Sequence, residues 1–193
     1  KWTKSRENVP INLKGSYKGD TLVSKTEYSY YENGQIESEG IYKDGKLDGK
    51  WIGWTEKGQM REEGNYKDGK KDGKWIGRGF GGGTWYEDNY INGKRDGKYT
   101  EWYWNGQIES EANYKDGKLD GKWTRWYENG KKREEINYKD GKRDDGKFIT
   151  WYSNGQKKWE TNQKDDKRDG KQTQWYENGQ KKEEGNYIND KQV

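Results

Sequence analysis

The chain has 193 residues, of which 25% are hydrophobic and 38% charged, proportions that taken alone point to disorder. Twelve Trp and 16 Tyr against a single Pro exclude that reading, while the scarcity of aliphatic residues excludes a bulky globular core. The 39 basic and 35 acidic residues are interspersed, which leaves +4 and no one-sign patch for a nucleic acid; without Cys or His there is no disulfide, no thiolate and no imidazole base or ligand.

Residues 1–26 hold a half-repeat. Tyr17-Lys18-Gly19-Asp20 echoes Tyr42-Lys43-Asp44-Gly45, and an array of repeats needs such an N-terminal cap. The chain opens on Lys, without a signal segment or an apolar run of membrane-spanning length, and reads as a mature or trimmed form. From Tyr30, YYENGQIESEGIYKDGKLDGKW recurs nearly unchanged from Trp102 as WYWNGQIESEANYKDGKLDGKW. The turn glycines Gly34, Gly58, Gly82, Gly106, Gly130, Gly155 and Gly179 mark steps of 24, 24, 24, 24, 25 and 24 residues, the doubled Asp144-Asp145 absorbing the longer one. The expected organisation is a cap over 1–26 and seven repeats at 27–49, 50–73, 74–97, 98–121, 122–146, 147–170 and 171–193.

Each repeat reads as two strands. In the fifth, WTRWYE from Trp123 is aromatic and β-branched, Asn129-Gly130 turns the chain, and a polar strand returns to Tyr138. Asn-Gly predicts a two-residue type I′ turn, which needs positive φ at both residues. The predicted fold is all-β, an elongated single-layer array of about seven tandem antiparallel hairpins, with about 15 strands at ~4.8 Å each. The turn also sets a register, in which residues four before and three after its Gly face each other. The resulting pairs set a cation against an indole in Trp54–Arg61, Trp126–Arg133, Trp151–Lys158 and Trp175–Lys182. The same rule gives Tyr30–Glu37, Trp102–Glu109 and, with partners exchanged, Arg78–Trp85.

Alternation gathers Trp51, Trp75, Tyr99, Trp123 and Phe148 on a packed face with the tyrosines from Tyr42 to Tyr187, over small residues such as Gly40, Gly64, Ala112 and Gly185. Tyr103, Tyr127, Tyr152 and Tyr176 fall on that face too. The other face takes the Trp–cation pairs and a Glu five residues after each turn Gly, from Glu39 to Glu184.

The third repeat departs from this pattern over 77–86. It gains five glycines there and moves its Trp to the return strand, so that Arg78, Phe80, Trp85 and Tyr86 form a patch unlike any other repeat. Gly77-Arg78-Gly79-Phe80-Gly81-Gly82 matches G-x-G-x-x-G, but no helix follows and no acidic ribose ligand can be placed. The stretch therefore reads as a loosened turn. Asp pairs such as Asp44 and Asp48 are crowded by Lys and read as turn residues rather than a calcium loop. The Glu ladder recurs in every repeat opposite Ile52, Ile76, Thr100, Thr124, Ile149 and Thr173, as structural residues do and a catalytic pair does not. No enzyme activity, cofactor or metal is expected.

The pattern W-x-x-W-Y-x-N-G-(x)7-Y-K-D-G-K-x-D-G-K, in phase over about residues 27–190, resembles the bacterial variant of the MORN repeat carried by YwqK-type antitoxin-like proteins. The resemblance implies hairpin arrays, a bacterial source and association with proteins or membrane surfaces. It fixes no ligand.

The expected function is a non-catalytic scaffold for protein–protein interaction, either antitoxin- or immunity-like or a cell-surface module. A second class is a carbohydrate- or choline-binding cell-wall module that stacks ligands on the aromatics of successive hairpins. The candidate binding residues are a stripe of Trp54, Trp102, Trp126, Trp151 and Trp175 with Arg61 and Arg133, together with Arg78, Phe80, Trp85 and Tyr86, because Trp and Arg dominate interface energetics. A protein is the first partner class and a membrane surface or glycan the next. Nucleic acid is disfavoured, since alternating Glu would repel phosphates. An exported or cell-surface location is favoured over the cytoplasm.

Overall fold

The computed structural model describes residues 14–18, 21–165 and 167–193; of the expected cap, residues 1–13, 19 and 20 lie outside them. The described residues contain no helix and form antiparallel strands joined by tight turns. They divide into two compact units, Lys1–Gly73 and Lys74–Val193.

In the first unit Lys14–Lys18 pairs with Thr21–Tyr30, which pairs with Ile36–Lys43, followed by Lys46–Trp54 and Met60–Lys67. The second unit starts inside the strand Lys70–Arg78 and continues through Thr84–Ile91, Gly97–Trp102, Ile108–Lys115, Gly121–Trp126, Lys132–Lys139, Gly146–Trp151, Lys157–Lys164, Lys167–Trp175 and Lys181–Ile188. From Thr84 onward each of these pairs with the next.

The two kinds of turn exchange the roles the sequence suggests. At Asn129-Gly130 only the Gly has positive φ, 76°. Tyr127 N–H donates to Lys131 O at 2.8 Å and Gly130 N–H to Tyr127 O at 2.8 Å. That is a three-residue loop, a type I turn followed by a left-handed Gly that makes a bulge. Positive φ at two successive residues occurs instead at the Asp-Gly turns, as at Asp140 (50°) and Gly141 (84°), where Lys139 pairs directly with Lys142. Those are the type I′ turns.

The longer loop moves the register by one residue at its mouth. Trp126 pairs with Lys132, not Arg133, and the same slip gives Tyr30–Ile36, Trp54–Met60, Trp102–Ile108, Trp151–Lys157 and Trp175–Lys181. A second irregularity follows at once, so that Arg125 faces Glu134 and Thr124 faces Glu135. The two offsets cancel. Beyond them the ladder matches the expected one, with Ile52 opposite Glu63, Ile149 opposite Glu160 and Thr173 opposite Glu184.

Packing rests on ring edges. Trp51 meets Tyr66, Trp75 meets Tyr90, Tyr99 meets Tyr114 and Trp123 meets Tyr138 edge to face, with centroids 6.1–6.3 Å apart. Each such pair contributes about 0.5–1.5 kcal/mol beyond its area. Small residues face the first of these rings: Gly40 and Gly64 face Trp51, and a Cβ on Gly40 would lie 2.6 Å from Leu47 Cδ2. Trp75, Ala112, Ile136, Phe148 and Tyr187 form the apolar core, with Thr161 and Gln172 buried among the polar residues.

Candidate interaction site

Side chains tie several of the hairpins to their successors. At the Asn-Gly end, Tyr31, Tyr103, Tyr127 and Tyr152 donate their hydroxyls to the backbone oxygens of Trp54, Trp126, Trp151 and Trp175 at 2.7–2.9 Å. Asn33, Asn105, Asn129 and Asn154 donate Nδ2 to the carbonyls of Glu56, Glu128, Ser153 and Glu177 at 2.6–3.0 Å, while each Oδ1 accepts the N–H two residues on. At the other end Asp48, Asp96, Asp120 and Asp145 accept the N–H of Asp68, Asp116, Asp140 and Asp165. The extra residue of the 25-residue step is thus accommodated without losing a tie: Asp144 donates its N–H to Asn137 O, and Asp145 carries the staple.

The tryptophan stripe is less open than the sequence suggests. Trp54, Trp102, Trp126, Trp151 and Trp175 are half-buried rather than exposed. The cations that cover Trp151 and Trp175 come from the preceding hairpin: Lys132 and Lys157 lie 5.7 Å from the ring centroids. Both also pair with the ladder carboxylates, Lys132 with Glu135 at 2.7 Å and Lys157 with Glu160 at 2.5 Å. Lys122 and Lys147 hold the same carboxylates from the side. The Lys147 and Lys157 hydrogen bonds keep the Glu160 carboxyl below its usual range, and Lys181 with Lys171 bring Glu184 down to about 2. The ladder is a neutralised structural seam. Arg133 does not cover Trp126; it is exposed and lies over Tyr127 at 5.8 Å, as Lys158 lies over Tyr152 and Lys182 over Tyr176. Arg61 is exposed.

The third repeat keeps its turn closure and its Asp96 tie at the Asp-Gly end, and lacks the Tyr and Asn that tie the other end. Gly79 N–H donates to Gly83 O and Gly82 N–H to Gly79 O, the same closure as in the fifth repeat, so the turn is not loosened. Gly81 has φ of 91°, which suits the second central residue of a type II turn rather than type I. Gly79 and Gly81 stand where the first, fourth, fifth, sixth and seventh repeats have Tyr and Asn and the second has Thr55 and Lys57. Gly77 is filled by the ring of Tyr86, which stacks on Tyr99 at 6.5 Å and meets Trp85 edge-on at 5.8 Å. Arg78 donates Nη1 to Thr84 Oγ1, again one residue short of the expected Trp85.

Of the four third-repeat candidates, Phe80 is 98% and Trp85 52% exposed, while Arg78 and Tyr86 are half-buried. Sequence reasoning missed Trp104, 88% exposed at the tip of the next turn. The signal was available: Phe80 and Trp104 occupy the position that Glu32, Glu56, Glu128, Ser153 and Glu177 fill in the other turns. It also missed the pair beneath. Asp88 takes the place of Ala112 or Ile136 at 1% exposure, and Arg95 Nε reaches its Oδ2 at 2.6 Å. The guanidinium lies 5.0 Å from the centroids of Tyr99 and Tyr114 and donates to the Tyr114 hydroxyl. Burial, then the Glu101 charge, push the Tyr99 hydroxyl well above its ordinary range.

Among the described residues no group of three or more acidic side chains is placed to hold a metal. The G-x-G-x-x-G stretch runs from the end of one strand through a turn into another strand, Thr84–Ile91, with no helix to receive a phosphate.

No match was found among curated proteins. The family described as MORN repeat variant matches residues 25–44, 47–68, 95–116, 119–140 and 168–189, more than half of the chain. The two repeats passed over are the third, with its glycine turn, and the sixth, which follows the extra Asp. Repeats of this kind occur in scaffolds that associate with proteins or membranes. With hairpins of one pattern tied to their successors and five of them matched in phase, the chain belongs to the MORN repeat variant family.

Proposed function

We propose that the chain is a non-catalytic scaffold that binds a protein partner through the turn tips of its third and fourth repeats. The observation that carries this reading is the exposure of Phe80 and Trp104 where other turns carry Glu or another polar residue at the same position, with Trp85 exposed beside them. Large rings at full exposure stabilise nothing in the free fold, and clustered aromatics are what interface hot spots use. In the third repeat Gly79 and Gly81 omit the two staples while the hydrogen bonds that close the turn remain. Toxin neutralisation, in line with the resemblance to antitoxin-like chains, and attachment at a cell surface are two forms of this activity.

The test is the variant Phe80→Glu with Trp104→Glu, which installs the residue used in other turns. Its circular dichroism and melting should match the parent, while capture of a discrete protein from cells, repeated with the purified partner, should be lost. Unchanged capture would reject the patch. A glycan reading has one observation in its favour: adjacent hairpins are two strands, about 9.6 Å, apart, a spacing suited to stacking alternate sugars of an extended chain. Tight glycan-array binding that the same two substitutions abolish would select it.

A further inference from the structure

In the second unit a groove of about 490 Å³ runs along the Asn-Gly ends of the last three hairpins. Tyr127, Tyr152 and Trp159 line it together with Arg133, Lys158 and Lys182. Each of these cations belongs to a successive hairpin, and each lies over the tyrosine of its own turn, 5.5–5.8 Å from the centroid. The ring fixes one side of the cation and leaves the other to solvent.

What sets the row apart is its lack of counter-charge. One residue before each, Lys132, Lys157 and Lys181 are held by Glu135, Glu160 and Glu184. Arg133, Lys158 and Lys182 meet no carboxylate at ion-pair distance among the described residues. The groove lining contains a single carboxylate, Glu134. Consecutive strand residues point to opposite faces, which sends the two cations to different surroundings.

The spacing then selects the ligand. Successive hairpins repeat every two strands, so the cations recur at about 9.6 Å. A polyproline II chain rises ~3.1 Å per residue with three residues per turn, so every third side chain lies on one side, about 9.3 Å apart. A β-strand does not fit, because its residues i and i+3 point to opposite faces. Tyrosine-lined grooves are also the surfaces on which polyproline II segments dock. We infer that this groove binds an extended, proline-rich acidic peptide segment, with Asp or Glu at every third position engaging Arg133, Lys158 and Lys182 in turn. This rests on the scaffold reading above and adds a second contact to it, remote in sequence from Phe80 and Trp104.

The experiment uses the full chain and three fluorescent peptides: a repeat of Asp-Pro-Pro, its Asn-Pro-Pro counterpart, and an Asp-Pro repeat with the same number of carboxylates. Anisotropy titration should give Asp-Pro-Pro an affinity at least about tenfold above both others. The variant Arg133→Gln/Lys158→Gln/Lys182→Gln should lose about tenfold or more, and Lys132→Gln/Lys157→Gln/Lys181→Gln less than about threefold, with circular dichroism confirming both folds. Equal losses in the two variants, no binding, or indifference to carboxylate spacing would overturn the inference. So would anionic vesicles or an oligonucleotide binding through the same three cations as tightly as the peptide. If the captured partner still binds the first variant, the scaffold reading stands and only the groove assignment fails.

Discussion

The third and fifth hairpins close their turns with the same hydrogen bonds and differ in turn type and in almost everything hung on them. Both close their turn with the same pair of hydrogen bonds around a left-handed Gly, Gly82 and Gly130. The fifth ties itself forward with Tyr127 and Asn129 and packs Ile136 against Trp123. The third carries Gly79 and Gly81 at the tying positions, a bare Phe80 at its tip, and the Asp88–Arg95 ion pair where the fifth has apolar packing. Hairpin geometry and repeat-to-repeat attachment are therefore separable. Glycine keeps the closing hydrogen bonds while removing the side chains that tie the Asn-Gly end, and a tip freed of them can serve something else.

The largest expected effect comes from the ion pair. Arg95→Met would leave Asp88 buried without its partner, at a cost of about 3 kcal/mol, the low end for such a break because Arg95 is itself partly exposed. Adding Asp88→Ala to give an apolar pair like Ala112 and Leu119 should recover most of that loss. Urea melts of the single and double variants check both. If the single variant melts like the parent, the buried pair is not what distinguishes the third hairpin.

Next in size are the turns. Gly82→Val and Gly130→Val should each cost about 1–3 kcal/mol through a φ that β-branched residues resist. The costs should be equal, since the φ values are 83° and 76° and neither site has a rigid neighbour within 3 Å. A much smaller loss at Gly82 would restore the picture of a slack third turn. Smaller again are the ties. Tyr127→Phe removes one hydroxyl bond to Trp151 O and should cost about 1 kcal/mol. Gly79→Tyr, which leaves the left-handed Gly81 in place, should return about as much to the third hairpin, read as a rise in midpoint denaturant. No gain would mean that the missing side chain never weakened the seam.

Much of this was legible in the residues. The 24-residue period, the all-β class, the ring pairs and the Glu ladder follow from alternation, which is blind to the length of a turn as long as the register recovers. The Trp–cation pairs were not recoverable, because Asn-Gly serves both a two-residue type I′ turn and the last two residues of a three-residue loop. The Tyr127 hydroxyl and the Asn129 amide act across about 24 residues, and strand patterning carries no term for that. Asp88 was readable as a break in the Gly, Ala and Ile series opposite the large rings. Its partner Arg95 was not, since that position is filled by Leu47, Lys71, Leu119 and Arg143 elsewhere and shows no preference of its own.

The smallest effect concerns charge on the opposite face. Glu135 is held by two lysines, Lys122 at 3.2 Å and Lys132 at 2.7 Å, whereas Glu87 of the third hairpin has Lys74 and, at the other position, Thr84. Burial works against ionisation of Glu135, yet the two lysines prevail and hold its carboxyl below the usual range; Glu184, exposed and held by Lys181 and Lys171, falls to about 2 from an ordinary 4.5. A carboxyl depressed in the folded state contributes stability above its unfolded value and loses it as pH falls through the folded one. For Glu184 that window runs from 4.5 down to about 2. The melting temperature should decline across it, and carboxyl NMR titration should place the Glu184 midpoint near about 2. Lys132→Thr makes the fifth hairpin resemble the third at this position, and it should move the Glu135 midpoint upward while leaving the Tyr127 and Asn129 ties intact. An unmoved midpoint would show that Lys122 alone sets the charge of the seam, and that the third and fifth hairpins do not differ on this face.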